Sequence, residues 1–337
     1  MSERILLSHG SGGDLTHRLI EQLFVRHFDN DLLRRLSDSS LLGACPDQAL
    51  FTTDSYVVDP IFFPGGDIGK LSVCGTVNDL AVAGARPAYL SAGFIIEEGL
   101  PMEDLEQVVV SMAREAQQAG VQIVTGDTKV VNKGKADKIF INTSGVGFLH
   151  PHFGGSVNGG GLKKGDQIIV NGNLGDHGIA VLAAREDLEI SSQIRSDCAS
   201  LNGLINQVLD RVEGIRMMRD LTRGGLATVM CEIARQNNLG IRLAEEAIPT
   251  DEQVRGMCEM LGLDPLYLAN EGKFIAIVDA RSADQLMDVM RADPLGRNAR
   301  IIGEVNDDHP ARVVMQTRIG GRRIIEMLTG EQLPRIC

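Results

Sequence analysis

Apolar positions along the chain switch repeatedly between strand-like and helical spacing, and those switches outline its elements. Ala49–Thr53 reads as a strand that runs into Asp54. From Gly69 to Ala85, apolar and small residues recur at Leu71, Cys74, Val77, Leu80, Ala81 and Gly84, which predicts a helix stopping before Pro87. A second helix is predicted from Glu103 to Ala119, burying Leu105, Val108, Val109, Met112, Ala113 and Ala116, with Gly120 at its C-terminus. The strand Val121–Thr125 follows at once and ends at Gly126-Asp127.

A glycine-rich stretch, His150–Gly161, separates two halves of comparable size, and its two histidines, His150 and His152, read as solvated. The second half opens with a strand, Gln167–Val170, a turn-rich loop, Asn171–Gly178, and a helix from Ile179. Arg219-Asp220-Leu221-Thr222-Arg223-Gly224-Gly225 leads into the helical run Leu226–Gln236. The strand Lys273–Asp279 follows Asn270-Glu271-Gly272, and a hairpin around Gly320-Gly321 precedes the end of the chain. Strands and helices alternate in both halves, so the class is α/β or α+β. The expected division is a domain over 1–153, a second over 154–328, and a tail over 329–337. Extended at ~3.3 Å per residue, that tail reaches roughly 25 Å, enough to enter a cleft of its own subunit or of a neighbour.

Composition narrows the function. At 337 residues there is length for two cores, and a net charge of −12 argues against non-specific nucleic-acid binding and fits a soluble cytoplasmic protein. The first seven residues hold too short an apolar run for a signal peptide, and no later stretch suits a membrane span. Cysteines 45, 74, 198, 231, 258 and 337 form no Cys-x-x-Cys pair, so neither a zinc site nor a disulfide framework is expected, and five of them read as small core residues. Cys337 differs because it is the last residue. Six cysteines among 337 residues would put one there by chance about 2% of the time, and the alternative is a swinging carrier of a small acyl-like group. Its own α-carboxylate works to raise the thiol pKa and Arg335 works against that, so activation by a partner is expected.

Three aspartates share a context: Asp54 after a strand, Asp79 beside Asn78 on a small-residue helix, and Asp127 after Gly126. Carboxylates converging at element ends suit oxygen-ligated Mg2+ and a nucleotide, although each alone also fits a turn or cap. Ser8-His9-Gly10-Ser11-Gly12-Gly13 has glycines that would let backbone N–H groups approach phosphate oxygens, yet neither familiar nucleotide fingerprint is present. Gly224-Gly225 opens a helix, as an anion site or as a plain helix-start turn. Lys129 and Glu271 are proton-transfer candidates if partly buried and ordinary surface charges otherwise, while His9 and His177 are candidates for polar contacts.

Together these segments resemble the family of the hydrogenase maturation factor HypE, within the PurM-like ATP-binding superfamily. The resemblance covers nearly the whole chain. It rests on Ser8 to Gly13, Thr53-Asp54-Ser55-Tyr56-Val57-Val58, Gly69-Lys70-Leu71, Val77-Asn78-Asp79-Leu80, and Gly84-Ala85-Arg86-Pro87. It continues through Thr125-Gly126-Asp127-Thr128-Lys129-Val130, Asp220 to Gly225, Asn270-Glu271-Gly272, and the closing Pro334-Arg335-Ile336-Cys337. The resemblance implies two PurM-like domains, the first pairing its strands across a homodimer into a barrel-like sheet. It implies ATP and Mg2+ as cofactors, with Asp54, Asn78, Asp79, Gly126, Asp127, Asp220, Gly224 and Gly225 at the nucleotide and the metal on Asp54, Asp79 and Asp127. Cys337, Lys129 and Glu271 would be catalytic.

The implied reaction is dehydration of a carbamoyl group. A carbamoyltransferase partner, HypF, loads Cys337 as an S-carboxamide, ATP phosphorylates the amide oxygen, and loss of phosphate leaves a thiocyanate. Cyanide then passes to iron held by a HypC–HypD complex for nickel–iron hydrogenase. Neither nucleic acid nor membrane is an expected partner. Two other readings compete: a different PurM-like ATP enzyme acting on a free small molecule, or a non-catalytic nucleotide-binding scaffold. Selenophosphate synthetase, one such enzyme, typically carries an early reactive cysteine or selenocysteine, whereas here the first cysteine is Cys45.

Overall fold

Two sheets, one in each half, organise the computed structural model, which describes residues 4–10, 14–35, 42, 48–155, 160–185, 193–328, 333 and 335–337. The first half begins with short helical segments, α1 (Asp14–Leu19) and α2 (Arg26–Phe28), joined by a π-helical turn, Ile20–Val25. Then come β1 (Ala49–Tyr56), a ribbon of β2 (Phe62–Phe63) and β3 (Gly66–Asp67), α3 (Ile68–Val82), β4 (Ala85–Glu97), α4 (Met102–Ala119), β5 (Gln122–Val131) and β6 (Ile139–Leu149). The sheet order is β1-β6-β4-β5, antiparallel except for the parallel β4–β5 pair.

The second half contains β7 (Gln167–Val170), α5 (Asp176–Arg185), α6 (Asn202–Arg211), β8 (Ile215–Asp220), α7 (Gly225–Asn237), β9 (Gly240–Ala244) and α8 (Glu252–Leu261). It ends with β10 (Phe274–Val278), α9 (Ala283–Arg291), β11 (Arg300–Asn306), β12 (Val313–Gln316) and β13 (Arg322–Ile325). Its seven strands run in the order β13-β12-β9-β11-β7-β10-β8. The mixed α/β class is as expected, and the hairpin at Gly320 joins β12 to β13.

α3 is the pivot of the fold. Apolar and small residues surround its whole circumference, because one side packs on the first sheet and others meet α4, α6 and β8. Asp67 caps it by accepting from Gly69 and Lys70 N–H groups, and Gly69 lets it approach α4, since a Cβ there would lie 2.2 Å from the Val108 carbonyl oxygen. α4 buries Leu105, Val108, Val109, Met112 and Ala116, while Ala113 is half-exposed, and Gly120 (φ +71°) closes the helix.

Two expected strands are longer than their apolar runs. β1 continues through Asp54 to Tyr56, and β5 continues through Asp127 and Lys129 to Val131, so neither aspartate lies at a strand end. The long β4 and β6 supply backbone partners that hold polar residues in extended conformation. His150 also departs from expectation. It is buried rather than solvated, with Nε2 3.2 Å from Asp210 Oδ1 on α6 and 2.8 Å from the Arg86 guanidinium. Cys74, Cys198, Cys231 and Cys258 are buried as expected, whereas Cys45 lies outside the described residues.

Candidate functional site: an acidic cleft holding the chain terminus

Alternation along β1 turns Thr52 and Asp54 toward α3, and Thr53 and Ser55 toward the opposite face. Thr52 Oγ1 donates to Asp79 Oδ2 at 3.0 Å. Burial, reinforced by the charge of Asp220, lifts the Asp79 pKa to about 7. Asp220 ends β8 across the cleft, and its carboxyl is also raised by burial. Glu271 lies on the turn before β10, 2% exposed, and its Oε1 has no hydrogen-bond partner among the described residues. Burial first, then the charges of Asp197, Asp220, Asp54 and Asp79, push Glu271 well above the usual carboxylate range. Four carboxyl groups from both halves therefore face one another.

The Glu271 turn is held from two directions. The Asn78 amide donates to the carbonyls of Ala199 (3.0 Å) and Glu271 (3.3 Å), and its Oδ1 accepts from Leu201 N–H (2.7 Å). The amide that the sequence pointed to a nucleotide is thus committed to protein groups. Asp197 accepts from the N–H groups of Glu271 and Gly272, both at 3.1 Å, and from Lys273 Nζ at 2.9 Å. Burial works to raise the Asp197 carboxyl, but Lys273, His177 and these hydrogen bonds outweigh it and leave it below the usual range.

The chain terminus docks into this cleft. Val57 N–H donates to Cys337 O (3.1 Å) and Asp59 N–H to Arg335 O (3.2 Å), so the last residues lie alongside the segment leaving β1. Arg185 donates to the carbonyls of Asp59 and Arg335, and the Arg335 side chain pairs with Asp137 at 2.7 Å. Ile336 is buried in the main core of the first half. Burial drives the Cys337 thiol pKa far up, Glu271, Asp54 and Asp220 add to the rise, and Arg223 opposes it. Cys337, Arg223, Gly224, Ser55 and Tyr267 line a cavity of about 330 Å³ beside the thiol.

The N-terminus of α7 flanks that cavity without a side-chain cap. Gly224 and Gly225 both take left-handed backbone (φ +77° and +58°), and a Cβ on Gly225 would lie 2.6 Å from the carbonyl oxygens of Leu266 and Leu268. Gly225 N–H donates to the Thr222 carbonyl at 3.0 Å, so an anionic oxygen in the cavity would meet the helix start at Gly224. The carboxyl cluster with its unpaired Glu271 oxygen suits a divalent cation, which would offset the repulsion among these carboxylates.

Asp127 and Lys129 are elsewhere. They pair with each other (3.5 Å) on the exposed face of β5, at the opposite edge of the sheet from β1. Three strand spacings, about 14 Å, separate the two edges. Gly126 is required by packing, since a Cβ would lie 2.4 Å from the Ala92 carbonyl oxygen. Ser8, His9 and Gly10 form part of a 3-10 turn, Leu7–Gly10, in which Gly10 touches Val130, while Ser11, Gly12 and Gly13 lie outside the described residues. One chain therefore gathers Cys337, Glu271, Asp54, Asp79, Asp220, Gly224 and Gly225, but not Asp127 and Lys129. Sequence reasoning passed over Arg223 and Asp197; the first lay inside a quoted motif, and the second carries no local signal.

Comparisons with known proteins identify the fold and the family. The family described as AIR synthase related protein matches with its N-terminal domain at residues 38–149 and its C-terminal domain at residues 163–316. The carbamoyl dehydratase HypE of Cupriavidus necator is 53% identical over 338 aligned positions, covering 100% of this chain and 95% of that protein. A crystal structure of the hydrogenase maturation protein HypE in complex with ATP superposes with a TM-score of 0.95 at 50% identity, covering 98% of this chain and 99% of that one. A HypE–HypF complex contains a chain with a TM-score of 0.80 at 48% identity, covering 92% of this chain and 99% of that one. With its fold, its acidic cleft and its terminal cysteine in place, the chain belongs to the HypE family of carbamoyl dehydratases.

Proposed function

We propose that this protein dehydrates an S-carboxamide carried on Cys337 to a thiocyanate, using Mg-ATP, and so supplies cyanide for the iron of a nickel–iron hydrogenase. The observation that carries the reading is the terminal thiol seated among Glu271, Asp54, Asp220 and Arg223. Asp54, Asp79 and Asp220 are the groups to hold Mg2+ and the nucleotide, and the start of α7 at Gly224 receives a phosphate, the Gly225 N–H being taken by the Thr222 carbonyl. Bound Mg-ATP supplies the cationic charge and the phosphoryl group that makes the amide oxygen a leaving group. Glu271 takes protons from the carboxamide nitrogen once neutralisation of the cluster lets it ionise. Asn78 and Asp197 hold its turn in register.

Asp127 and Lys129 join this chemistry in our reading through a homodimer. The face of the first sheet that carries them is uncovered and also exposes Phe51, Ile95 and Asn142. Pairing two such faces would give a barrel-like sheet and bring the partner subunit's β5 edge toward the cleft. The domain limits that go with this reading are 1–153 and 154–328, with the carrier tail over 329–337.

Among the described residues no helix is long and apolar enough to cross a membrane. We place the protein in the cytoplasm, loaded by HypF and delivering to a HypC–HypD complex. Intact-mass spectrometry after incubation with HypF, carbamoyl phosphate and ATP tests the proposal. A carbamoyl mass on the C-terminal peptide that loses water when Mg-ATP is supplied is expected. An unmodified terminus, or thiocyanate formed by Cys337→Ala, would overturn it.

A further inference from the structure

His177 belongs to neither the carboxyl cluster nor the nucleotide groups, yet it is fully buried at the start of α5. Its Nε2 lies 2.8 Å from the Ile336 carbonyl oxygen and its Nδ1 2.8 Å from Ser196 Oγ. A carbonyl only accepts, so Nε2 carries the ring proton and Nδ1 accepts from the Ser196 hydroxyl. Ser196 is itself fixed: its Oγ accepts from Cys198 N–H (3.1 Å), and its own N–H donates to the Pro64 carbonyl (2.7 Å). Phe63 packs edge-on to the imidazole, with centroids 5.4 Å apart at 87°. Ring direction is therefore set by residues outside the tail, while the Ile336 carbonyl selects the Nε2–H tautomer. The tail contributes only the final acceptor.

That acceptor is informative because Ile336 directly precedes the carrier. The peptide unit is planar, so a hydrogen bond to the Ile336 carbonyl fixes the direction in which Cys337 leaves it. Once the tail departs, a buried N–H is left without its partner until water fills the gap, which biases the tail toward the docked position.

We propose that His177, oriented by Ser196, is a positioning residue whose hydrogen bond to Ile336 sets the depth and direction of Cys337 in the cleft. The proposal rests on Cys337 being the carrier, and it separates two effects that general damage would merge. Weakening the receptor exposes the thiol more often while slowing the chemistry that needs it docked.

The test uses full-length wild type, His177→Ala, His177→Gln and Ser196→Ala. Iodoacetamide labelling of the C-terminal peptide reports exposure without any partner protein. Single-turnover dehydration of preloaded protein reports positioning, and ATP affinity controls for the cleft. Loss of one neutral hydrogen bond predicts two- to tenfold faster labelling in His177→Ala and a comparable slowing of dehydration at unchanged ATP affinity. Gln presents an N–H near the Nε2 position and restores both rates, and Ser196→Ala moves both in the same directions by less. Labelling and dehydration at wild-type rates in His177→Ala would overturn the proposal, as would slower dehydration without faster labelling. If wild-type Cys337 is never loaded, the carrier reading fails instead, and the labelling rates still judge the receptor.

Discussion

The Asp197–Lys273 pair gives the sharpest energetic prediction for the site. Its N–O separation is 2.9 Å, and the side chains are only 3% and 11% exposed. Asp197→Asn is nearly isosteric but leaves the buried Lys273 ammonium facing only Asp176, whose carboxyl burial lifts to about 7, a loss of up to roughly 3–5 kcal/mol. Asn also offers one acceptor where the carboxylate served the N–H groups of both Glu271 and Gly272. Lys273→Met leaves a carboxylate that keeps those two donors, so a smaller loss, about 2 kcal/mol, is expected. In the double variant neither member of the pair is left stranded, and its destabilisation should fall short of the sum by about 2 kcal/mol or more. Urea unfolding of all four proteins measures this, with hydrogen exchange at β8 and β10 amides locating the transition in the half that carries the pair. Additivity within about 0.5 kcal/mol would refute the argument that the pair acts as one buried unit. Because Asp197 holds the Glu271 turn, the single Asn variant should also lose dehydration more than nucleotide affinity.

Other outcomes follow from the same geometry. Asp79, raised to about 7 in the metal-free protein, must release its proton when a cation binds. Mg2+ affinity should therefore climb as pH rises toward 7 and level off above it, and calorimetry in buffers of different ionisation enthalpy should count more protons released at pH 6 than at pH 8; a flat profile would remove Asp79 from the metal site. Asp127→Asn should weaken Mg-ATP binding, and unchanged affinity would exclude it. Mixing Lys129→Ala with Glu271→Gln subunits should recover activity if the β5 edge completes the partner's cleft, whereas two dead parents giving a dead mixture would count against it.

How far the sequence exposed all this depends on the kind of signal each residue leaves. α4 was legible because its apolar period and Gly120 are local features. The ends of β1 and β5 were not, because Asp54, Asp127 and Lys129 are kept extended by backbone partners on β4 and β6, Thr143, Gly93 and Ile95, that are distant in sequence. Cys337 was conspicuous by position alone, and Glu271 only through a motif. Asn78 illustrates the harder case. Its polar side chain on a buried helix invites a ligand, but the ligand is the backbone of the opposite half. Asp127 marks a limit of another sort, since a single chain places it three strands from the group it resembles a partner of.

The docked thiol yields the last prediction. In the cleft, burial and the neighbouring carboxyl groups hold the Cys337 pKa far above that of a free thiol, near 8.5. Docking therefore favours the protonated form: it has full strength below about pH 8.5 and weakens by about 1.4 kcal/mol for each unit above, as long as the docked thiol keeps its proton. Alkylation needs a thiolate outside the cleft. Below pH 8.5 its rate should rise tenfold per unit, as for any thiol. A free tail peptide then levels off, but in the metal- and nucleotide-free protein the rate should keep rising, because each further unit releases more tail. A plateau near pH 8.5, coincident with that of a peptide ending in Arg335-Ile336-Cys337, would mean that the thiol spends its time outside the cleft. If Cys337 is the carrier, the same linkage predicts a docked thiol that stays neutral and unreactive, with the nucleophile forming only where the tail has left the cleft.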